Sequence, residues 1–371
     1  MMRRTHNSPK TILFKIKYYH KKFTNFSPLT RQLYNKTETK NIYTYSQFNN
    51  TVHNMIKVLI TDQIHEAGIK LLKENNIDVN INLGLDETNL AKIIKDYDAI
   101  IIRGRTKITK KVLENPGKLK LIIRAGVGLD NIDLNTAKEK NITVYNTPGA
   151  PSTSVAELTI ALIICALRNI GKGYYDLKQG KWSKNEIMGH ELRGKTVSII
   201  GFGRIGYEVA KRLKAFDTRI ITYDIDKTRE TLAKNLGIEF ANNLEEALST
   251  GDIITLHLPL LPETRNLINT EKIKLIKKGA YIINTSRGEI IDEKALLEAL
   301  KNGHLAGAAL DVFATEPPKE PWEIELLSLP NIIATPHIGA QTTETQEAES
   351  LEAAKIILDY MASLHKEKVK L

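Results

Sequence analysis

Three short segments of this chain each follow an apolar run and carry one ionisable side chain: Asn284-Thr-Ser-Arg287-Gly, Asp311-Val-Phe-Ala-Thr-Glu316-Pro-Pro and Thr335-Pro-His337-Ile-Gly. A guanidinium, a carboxylate and an imidazole are the set needed to oxidise an alcohol that neighbours a carboxylate. Taking hydride from carbon requires a base for the hydroxyl proton, and histidine titrates in the useful range. A carboxylate bonded to the ring fixes its orientation and favours its charged form. An arginine holds a developing carbonyl and a substrate carboxylate through paired N–H donors. Singly, these residues are ordinary: a lone His after a strand is usually structural, a Glu before Pro-Pro a solvated turn, an Arg a surface charge. Placed together at the ends of apolar runs, they predict an active site.

A second string predicts a redox nucleotide. Val197-Ser-Ile-Ile-Gly201-Phe-Gly203-Arg204-Ile205-Gly206 has the GxGxxG spacing, which is weak alone. Here an apolar strand precedes it, a helical stretch follows, and a further strand, Arg219 to Tyr223, ends at the acid Asp224. Gly201 permits the turn, Gly203 lets backbone approach a pyrophosphate, and Gly206 lets helix pack on sheet. The helix N-terminus stabilises the phosphates. Asp224 can accept from the ribose hydroxyls of NAD and would repel the 2′-phosphate of NADP. NAD is therefore expected, with Lys227 and Arg229 close enough to soften the preference.

A third string, Ile123-Arg124-Ala-Gly126-Val127-Gly128-Leu-Asp-Asn131, forms a glycine-flanked turn whose backbone N–H groups can bind a carboxylate. Arg124 adds positive charge beside it, and Ile102-Arg103-Gly-Arg105-Thr ends another apolar run with two more cations. Planar arginines suit phosphate oxygens; the competing reading is that Arg103 or Arg105 ends a strand in solvent.

These segments need strands and helices to position them. Short β-rich runs at Val58–Thr61, Val79–Ile81, Ala99–Ile102, Leu119–Ile123 and Ile142–Tyr145 alternate with amphipathic stretches. After Asn146-Thr-Pro-Gly-Ala-Pro-Ser-Thr-Ser, whose Ser/Thr cluster can cap a helix, a long helix over Ser154–Asn169 reads as a crossover. Six strands follow: Val197–Ile200, Arg219–Tyr223, Ile253–Leu258, Tyr281–Thr285, Ala308–Phe313 and Ile332–Thr335. The expected fold class is α/β, with two doubly wound parallel-sheet domains. A Rossmann NAD-binding domain over 154–335 is inserted in a flavodoxin-like substrate-binding domain formed by 55–153 and 336–371, the helical stretch Thr343–Met361 returning to the first sheet.

Composition narrows the class. Residues 1–54 hold ten Lys/Arg and one acid, Glu38, while the rest of the chain is nearly balanced, so the formal +10 lies in a tail and not on a nucleic-acid-reading face. Three readings of that tail stand: Met55 is the true start, the segment is a transit peptide, or it is a basic arm. The single cysteine, Cys165, excludes an intrachain disulfide and fits a reducing, cytoplasmic setting; its apolar run predicts a buried thiol, and no membrane span or metal site is expected.

From Met55 on, the chain resembles the D-isomer-specific 2-hydroxyacid dehydrogenases. The strings that carry the resemblance are Gly201 to Gly206 with Asp224, His257-Leu-Pro-Leu-Leu-Pro-Glu-Thr-Arg, Asn284-Thr-Ser-Arg-Gly, Gly307-Ala-Ala-Leu-Asp-Val-Phe and Thr335-Pro-His-Ile-Gly. The similarity is closest to the members that oxidise 3-phosphoglycerate. It implies His337 as acid/base, Glu316 as its partner and Arg287 as the substrate arginine. It implies that Asp311 holds the nicotinamide carboxamide, and it adds Arg204, Ile205, His257 and Thr285 to the cofactor side. It puts Arg103 and Arg124 at the phosphate end and the Gly126-Val127-Gly128 loop, with Asn131, at the carboxylate end. It also implies a homodimer, built through the helix after the crossover. The expected reaction is NAD-dependent oxidation of 3-phospho-D-glycerate to 3-phosphohydroxypyruvate, towards serine. The alternatives are reduction of glyoxylate, hydroxypyruvate or another 2-keto acid, and a non-enzymatic NAD-sensing protein. Only 34 residues follow His337, so feedback by serine through a regulatory domain is not expected.

Overall fold

The computed structural model describes residues 56–368. The three readings of the N-terminal segment fall outside the described residues.

The first sheet contains β1 (Lys57–Ile60), β2 (Asp78–Ile81), β3 (Ala99–Ile102), β4 (Leu121–Arg124) and β5 (Thr143–Asn146), all parallel, in the order β2-β1-β3-β4-β5. Burial follows from composition. The central strands β1, β3 and β4 are runs of Ile, Leu and Val, while the edge strands β2 and β5 are polar and half exposed. Period-two alternation sends Val58, Ile60, Ile101 and Ile123 to one face and Leu59, Ile100, Ile102 and Ile122 to the other, so the sheet has a core on each side.

The second sheet contains β6 (Thr196–Ile200), β7 (Arg219–Tyr223), β8 (Glu239–Phe240), β9 (Ile253–Leu256), β10 (Ala280–Asn284), β11 (Leu305–Leu310) and β12 (Ile332–Ala334), parallel in the order β12-β11-β10-β9-β6-β7-β8. It has seven strands where six were expected. The addition, β8, is a two-residue edge strand paired to Ile221 and Thr222, too short to show alternation. β11 begins three residues before the expected Ala308, because Leu305-Ala-Gly reads as neither strand nor helix until the flanking ladders pair it. In both sheets the strand order reverses once, between β1 and β3 and between β6 and β9, which is where such sheets bind ligands.

Six helices bear on the site: α1 (Glu66–Glu74), α2 (Ser152–Leu167), α3 (Ile170–Lys178), α4 (Arg204–Leu213), α5 (Glu293–Lys301) and α6 (Thr343–Lys368). α2 starts two residues earlier than the sequence suggested. Ser152 and Ser154 lie inside its first turn and do not cap it; Ser154 Oγ donates back to the Pro151 carbonyl at 3.1 Å. Ala156, Ile160 and Ile163 of α2 pack in the core of the second sheet, beside Val197, Ile199 and Ile283. Cys165 is only partly buried, contrary to expectation; burial still pushes its thiol pKa up. No single described helix is long and apolar enough to cross a membrane, and α2 and α3, which would suffice together, are bent by 70° at Asn169.

α6 returns to the first sheet, where Ala353, Ala354 and Ile357 are buried against Val58, Ile60 and Ile123. It interlocks with α1 at one glycine. Gly68 N–H donates to Ser350 Oγ at 3.2 Å, Ser350 Oγ donates to the His65 carbonyl at 2.6 Å, and a Cβ on Gly68 would lie 2.3 Å from the Ser350 carbonyl oxygen. Gly68→Ala should therefore cost about 1–3 kcal/mol, as overpacking does, read as a lower urea midpoint at unchanged m-value. An unaltered midpoint would show that the two helices can part freely.

Candidate active site

The glycine loop leaves β6 with three separate steric requirements. Gly201 has φ +94°, and a Cβ there would meet the His257 carbonyl oxygen at 2.3 Å. A Cβ on Gly206 would stand 2.2 Å from the Gly201 carbonyl oxygen, so α4 can lie this close to the strand only without one. Gly203 faces open space, with nothing within 4 Å of a would-be Cβ. It also caps α4 without a side chain, so no side-chain acceptor takes up the first-turn N–H groups of Arg204, Ile205 and Gly206. This is a cradle for a pyrophosphate.

Asp224, just past β7, ties the two strand ends together: its carboxylate accepts from Phe202 N–H at 2.7 Å and Asp226 N–H at 2.9 Å. Lone pairs remain for ribose hydroxyls. The nearby cations are engaged elsewhere. Lys227 donates to the Asn242 carbonyl and lies over the Tyr223 and Phe240 rings, and Arg229 pairs with Asp226. The residues present fit NAD better than NADP. His257 adds a second sign of an intended ligand: burial pushes its pKa down to about 3, so the ring is neutral, and its Nδ1 is buried without a partner while Nε2 meets Thr255 Oγ1 at 3.0 Å. Two other expected cofactor residues are already employed. The Thr285 hydroxyl pairs with Thr159 of α2 at 2.9 Å. Asp311 is buried and accepts from Thr335 Oγ1 at 2.6 Å, Ile338 N–H at 2.8 Å and Gly339 N–H at 2.9 Å, so its first duty is the turn that carries His337.

His337 sits in that turn with φ +53°. Its Nδ1 lies 2.8 Å from Glu316 Oε2, which leaves Nε2 as the nitrogen able to exchange a proton with a ligand. Burial works to raise the Glu316 pKa, but the hydrogen bond and charge of His337, the Phe313 N–H and the charge of Arg287 outweigh it, and the carboxyl is held below its usual range. Arg287 ends β10, and its backbone is fixed by the Asn284 side chain. Its Nε donates to Asp130 at 2.8 Å and one terminal nitrogen to the Ser286 carbonyl at 2.6 Å. Its charge also depresses Arg124 and helps to hold the Glu316 carboxyl down, so the guanidinium acts on both.

The loop expected to meet substrate lies against Arg287, and its groups divide differently from the expectation. Gly126 has φ +143° and a Cβ there would strike the Arg124 guanidinium; its N–H, expected to meet a carboxylate, donates to Thr147 Oγ1 at 2.7 Å. A Cβ on Gly128 would overlap Arg287, so the loop lies directly on that guanidinium. Val127 is half exposed beside them, leaving the Val127 and Gly128 amides as the available donors. Asn131, expected to touch substrate, is a brace: its amide donates to the carbonyls of Arg103 at 2.7 Å and Thr106 at 2.6 Å. Arg124 ends β4 largely buried. Its pKa is pulled down to about 10, by burial first and then by Arg287 and Arg103, against the opposing pull of Glu349 and Asp130. Arg103 N–H donates to Asp62 at 2.6 Å and its guanidinium to Glu349 at 3.2 Å. The Nε atoms of both arginines are buried without partners. Arg105 is exposed beside Gly84, away from this pair.

Four acids were not singled out in the sequence. Asp130 and Asp62 lack any motif. Glu349 shares a helical stripe with Ala353 and Ile357, and an acid on an apolar stripe was the signal available. Glu293 begins α5, is buried, and accepts from Ala314 N–H at 2.8 Å, bracing the segment that carries Glu316. Burial, with the charges of Glu323, Glu289 and Glu316, raises its pKa to about 7 against the opposing Ala314 bond.

Residues 160–339 match the family model described as D-isomer specific 2-hydroxyacid dehydrogenase, NAD binding domain. The chain is 48% identical over 303 residues to a D-3-phosphoglycerate dehydrogenase of Methanocaldococcus jannaschii, covering 82% of this chain and 57% of that one, so it spans little more than half of that relative. It is 44% identical to a hydroxypyruvate reductase of Thermotoga maritima, covering 81% of this chain and 97% of the relative. D-lactate dehydrogenase from Aquifex aeolicus, solved with NAD and lactic acid, superposes with a TM-score of 0.73 at 32% identity, over 82% of this chain and 96% of that one.

The raised Glu293 pKa makes a pH prediction. A carboxyl at about 4.5 in the unfolded chain and about 7 in the fold holds its proton longer in the native state, so its contribution to stability is lost as pH rises from about 4.5 through 7. Glu293→Gln keeps an acceptor for Ala314 and removes the buried charge. Its Tm should match wild type at pH 5 and exceed it at pH 8 by on the order of 5 °C; equal shifts at both pH values would mean that the carboxyl is not buried as a charge.

Proposed function

The chain belongs to the D-isomer specific 2-hydroxyacid dehydrogenases, and from that membership we propose that it uses NAD to oxidise 3-phospho-D-glycerate to 3-phosphohydroxypyruvate, a step towards serine. The observation that carries the substrate choice is the pair Arg103 and Arg124, each with a buried Nε that has no partner, at the ends of adjacent strands β3 and β4. Two buried, unmatched guanidinium edges are costly unless an anion completes them, and a phosphate supplies enough oxygens for both.

Bound NAD supplies the hydride acceptor. The remaining work belongs to the chain. His337 Nε2 takes the hydroxyl proton, and Glu316, ionised and 2.8 Å from Nδ1, stabilises the imidazolium that forms. Arg287 orients the substrate carboxylate and polarises the carbon–oxygen bond that becomes a carbonyl, assisted by the Val127 and Gly128 amides. Arg103 and Arg124 take the phosphate.

A second reading, reduction of an unphosphorylated 2-keto acid, is favoured by the Thermotoga maritima relative, which aligns over 97% of its length. The two separate in one assay. Arg124→Ala should raise KM for 3-phosphohydroxypyruvate about a hundredfold or more, the loss of one charge-assisted contact or two, while changing KM for hydroxypyruvate less than fivefold. Equal losses for both substrates would remove the phosphate assignment.

The partner is a second copy of the chain. α3 and the segment after it expose Tyr174 (64%), Tyr175 (64%), Trp182 (79%) and Met188 (84%), an apolar arm of the kind that soluble chains cover. Trp182→Glu with Met188→Glu should give monomers in sedimentation velocity where wild type gives dimers, and dimers surviving the double change would discard this arm as the interface. With Cys165 as its one cysteine, the chain suits a reducing compartment, and the cytoplasm is the proposed location.

A further inference from the structure

Glu349 lies one and two helical turns before Ala353 and Ile357 on the stripe of α6 that packs on the first sheet, yet it is an acid with a 2% exposed side chain. One carboxylate oxygen, Oε2, accepts from Arg103 at 3.2 Å; the other, Oε1, is buried with no partner. Across from it, Arg103 Nε and Arg124 Nε are buried donors with no partner. An unmatched acceptor beside two unmatched donors describes a ligand group that both accepts and donates. A carboxylate tail only accepts. A hydroxyl does both but gives two guanidinium groups too little charge. A phosphate monoester carrying one proton meets all three.

We propose that Glu349 and the phosphate of the substrate share a single proton: binding takes one proton from solvent, and that proton lies between Glu349 Oε1 and a phosphate oxygen while the other oxygens accept from Arg103 and Arg124. The proposal rests on the phosphorylated substrate argued above. No bond to carbon or phosphorus changes, the hydride step is untouched, and the proton returns to solvent when the product leaves.

The proton affinities favour sharing. A phosphate monoester loses its second proton near pH 6. Burial raises the Glu349 carboxyl, partly opposed by the charges of Arg103 and Arg124 and reinforced by Glu352, three residues further along α6. Asp62 at the end of β1 faces the Arg103 backbone and is occupied by Arg103 and Thr106, and His65, whose ring accepts from Ala67 N–H, caps α1 below Ser350. With no proton between them, a dianion and a carboxylate would meet as like charges out of water, and such coupled acids hold one proton jointly.

Isothermal titration calorimetry can count the proton. The enzyme·NADH complex, from which no hydride can pass to an alcohol, is titrated with 3-phosphoglycerate and, separately, with D-glycerate at pH 8 in buffers of different ionisation enthalpy. D-glycerate subtracts any proton handled by His337. The phosphorylated ligand should take up close to one proton more per site. Its affinity should fall about tenfold per pH unit above pH 7. In Glu349→Gln, whose amide can accept from Arg103 and donate to phosphate, the extra uptake and the pH slope should vanish while binding survives. The wild-type count alone tests the idea should that variant fail to fold. Binding of 3-phosphoglycerate with no excess proton, or the same excess in Glu349→Gln, would overturn the shared proton and leave the substrate assignment standing. A flat isotherm for 3-phosphoglycerate would overturn both.

Discussion

The site hangs on a carboxylate that need not react. Asp311, buried at the end of β11, accepts three hydrogen bonds from the turn Thr335 to Gly339, in which His337 adopts φ +53°. A left-handed backbone costs a side-chain-bearing residue about 1–2 kcal/mol, and hydrogen bonds to a charged acceptor are each worth about 1.5–3 kcal/mol, so the turn is held with something to spare. Gly339 is part of that grip: a Cβ there would sit 3.2 Å from both Asp311 and Val155 of α2. The imidazole is thus fixed from below by β11 and from the side by Glu316, whose own chain segment is braced by Glu293. Moving the His337 backbone out of this turn would break the three hydrogen bonds to Asp311 together, while the imidazole itself is oriented by its bond to Glu316.

Much of this could be read from the chain. Strand existence and the parallel α/β class followed from β-branched apolar runs and from the strand–helix alternation, and the glycine spacing foretold the steric demands that the backbone imposes at Gly201 and Gly206. What escaped is non-local. β8 exists only because β7 offers an edge to pair with. Asn131 and Gly126 appeared to face a ligand, but the partners that claim them, the carbonyls of Arg103 and Thr106 and the hydroxyl of Thr147, come from other loops. Glu349 comes from α6, some 225 residues past Arg124 (a separation at which spacing carries no signal). Sequence order shows which residue types end a strand; only the folded chain shows which of their donors are already spent.

That accounting of donors explains the division of labour between the two loops. The cofactor loop keeps its first-turn amides clear because Gly203 brings no side chain, whereas the substrate loop gives the Gly126 amide to Thr147 and gains rigidity. Charge divides as well. On the substrate side Arg103, Arg124 and Arg287 are met by Glu349 and Asp130, and each cation has an acid as near neighbour. Partial compensation keeps three guanidinium groups from expelling one another in a low-dielectric space.

The same compensation links the two sheets. Arg287 belongs to the second sheet and Asp130 to the first, and their 2.8 Å contact is one place where the two meet. Under the proposed function a substrate carboxylate at Arg287 would compete with Asp130 for that guanidinium, so binding would exchange an ion pair between chain segments for one between chain and ligand. Such an exchange of like for like costs little. The helices that link the two sheets also touch, Thr345 Oγ1 donating to Ser154 Oγ at 3.0 Å where the outgoing α2 passes the returning α6. The groups proposed to meet substrate, Arg287 and His337 on one side and Arg103, Arg124 and the Gly128 loop on the other, stand at or just past the ends of strands in the two sheets that this crossing links.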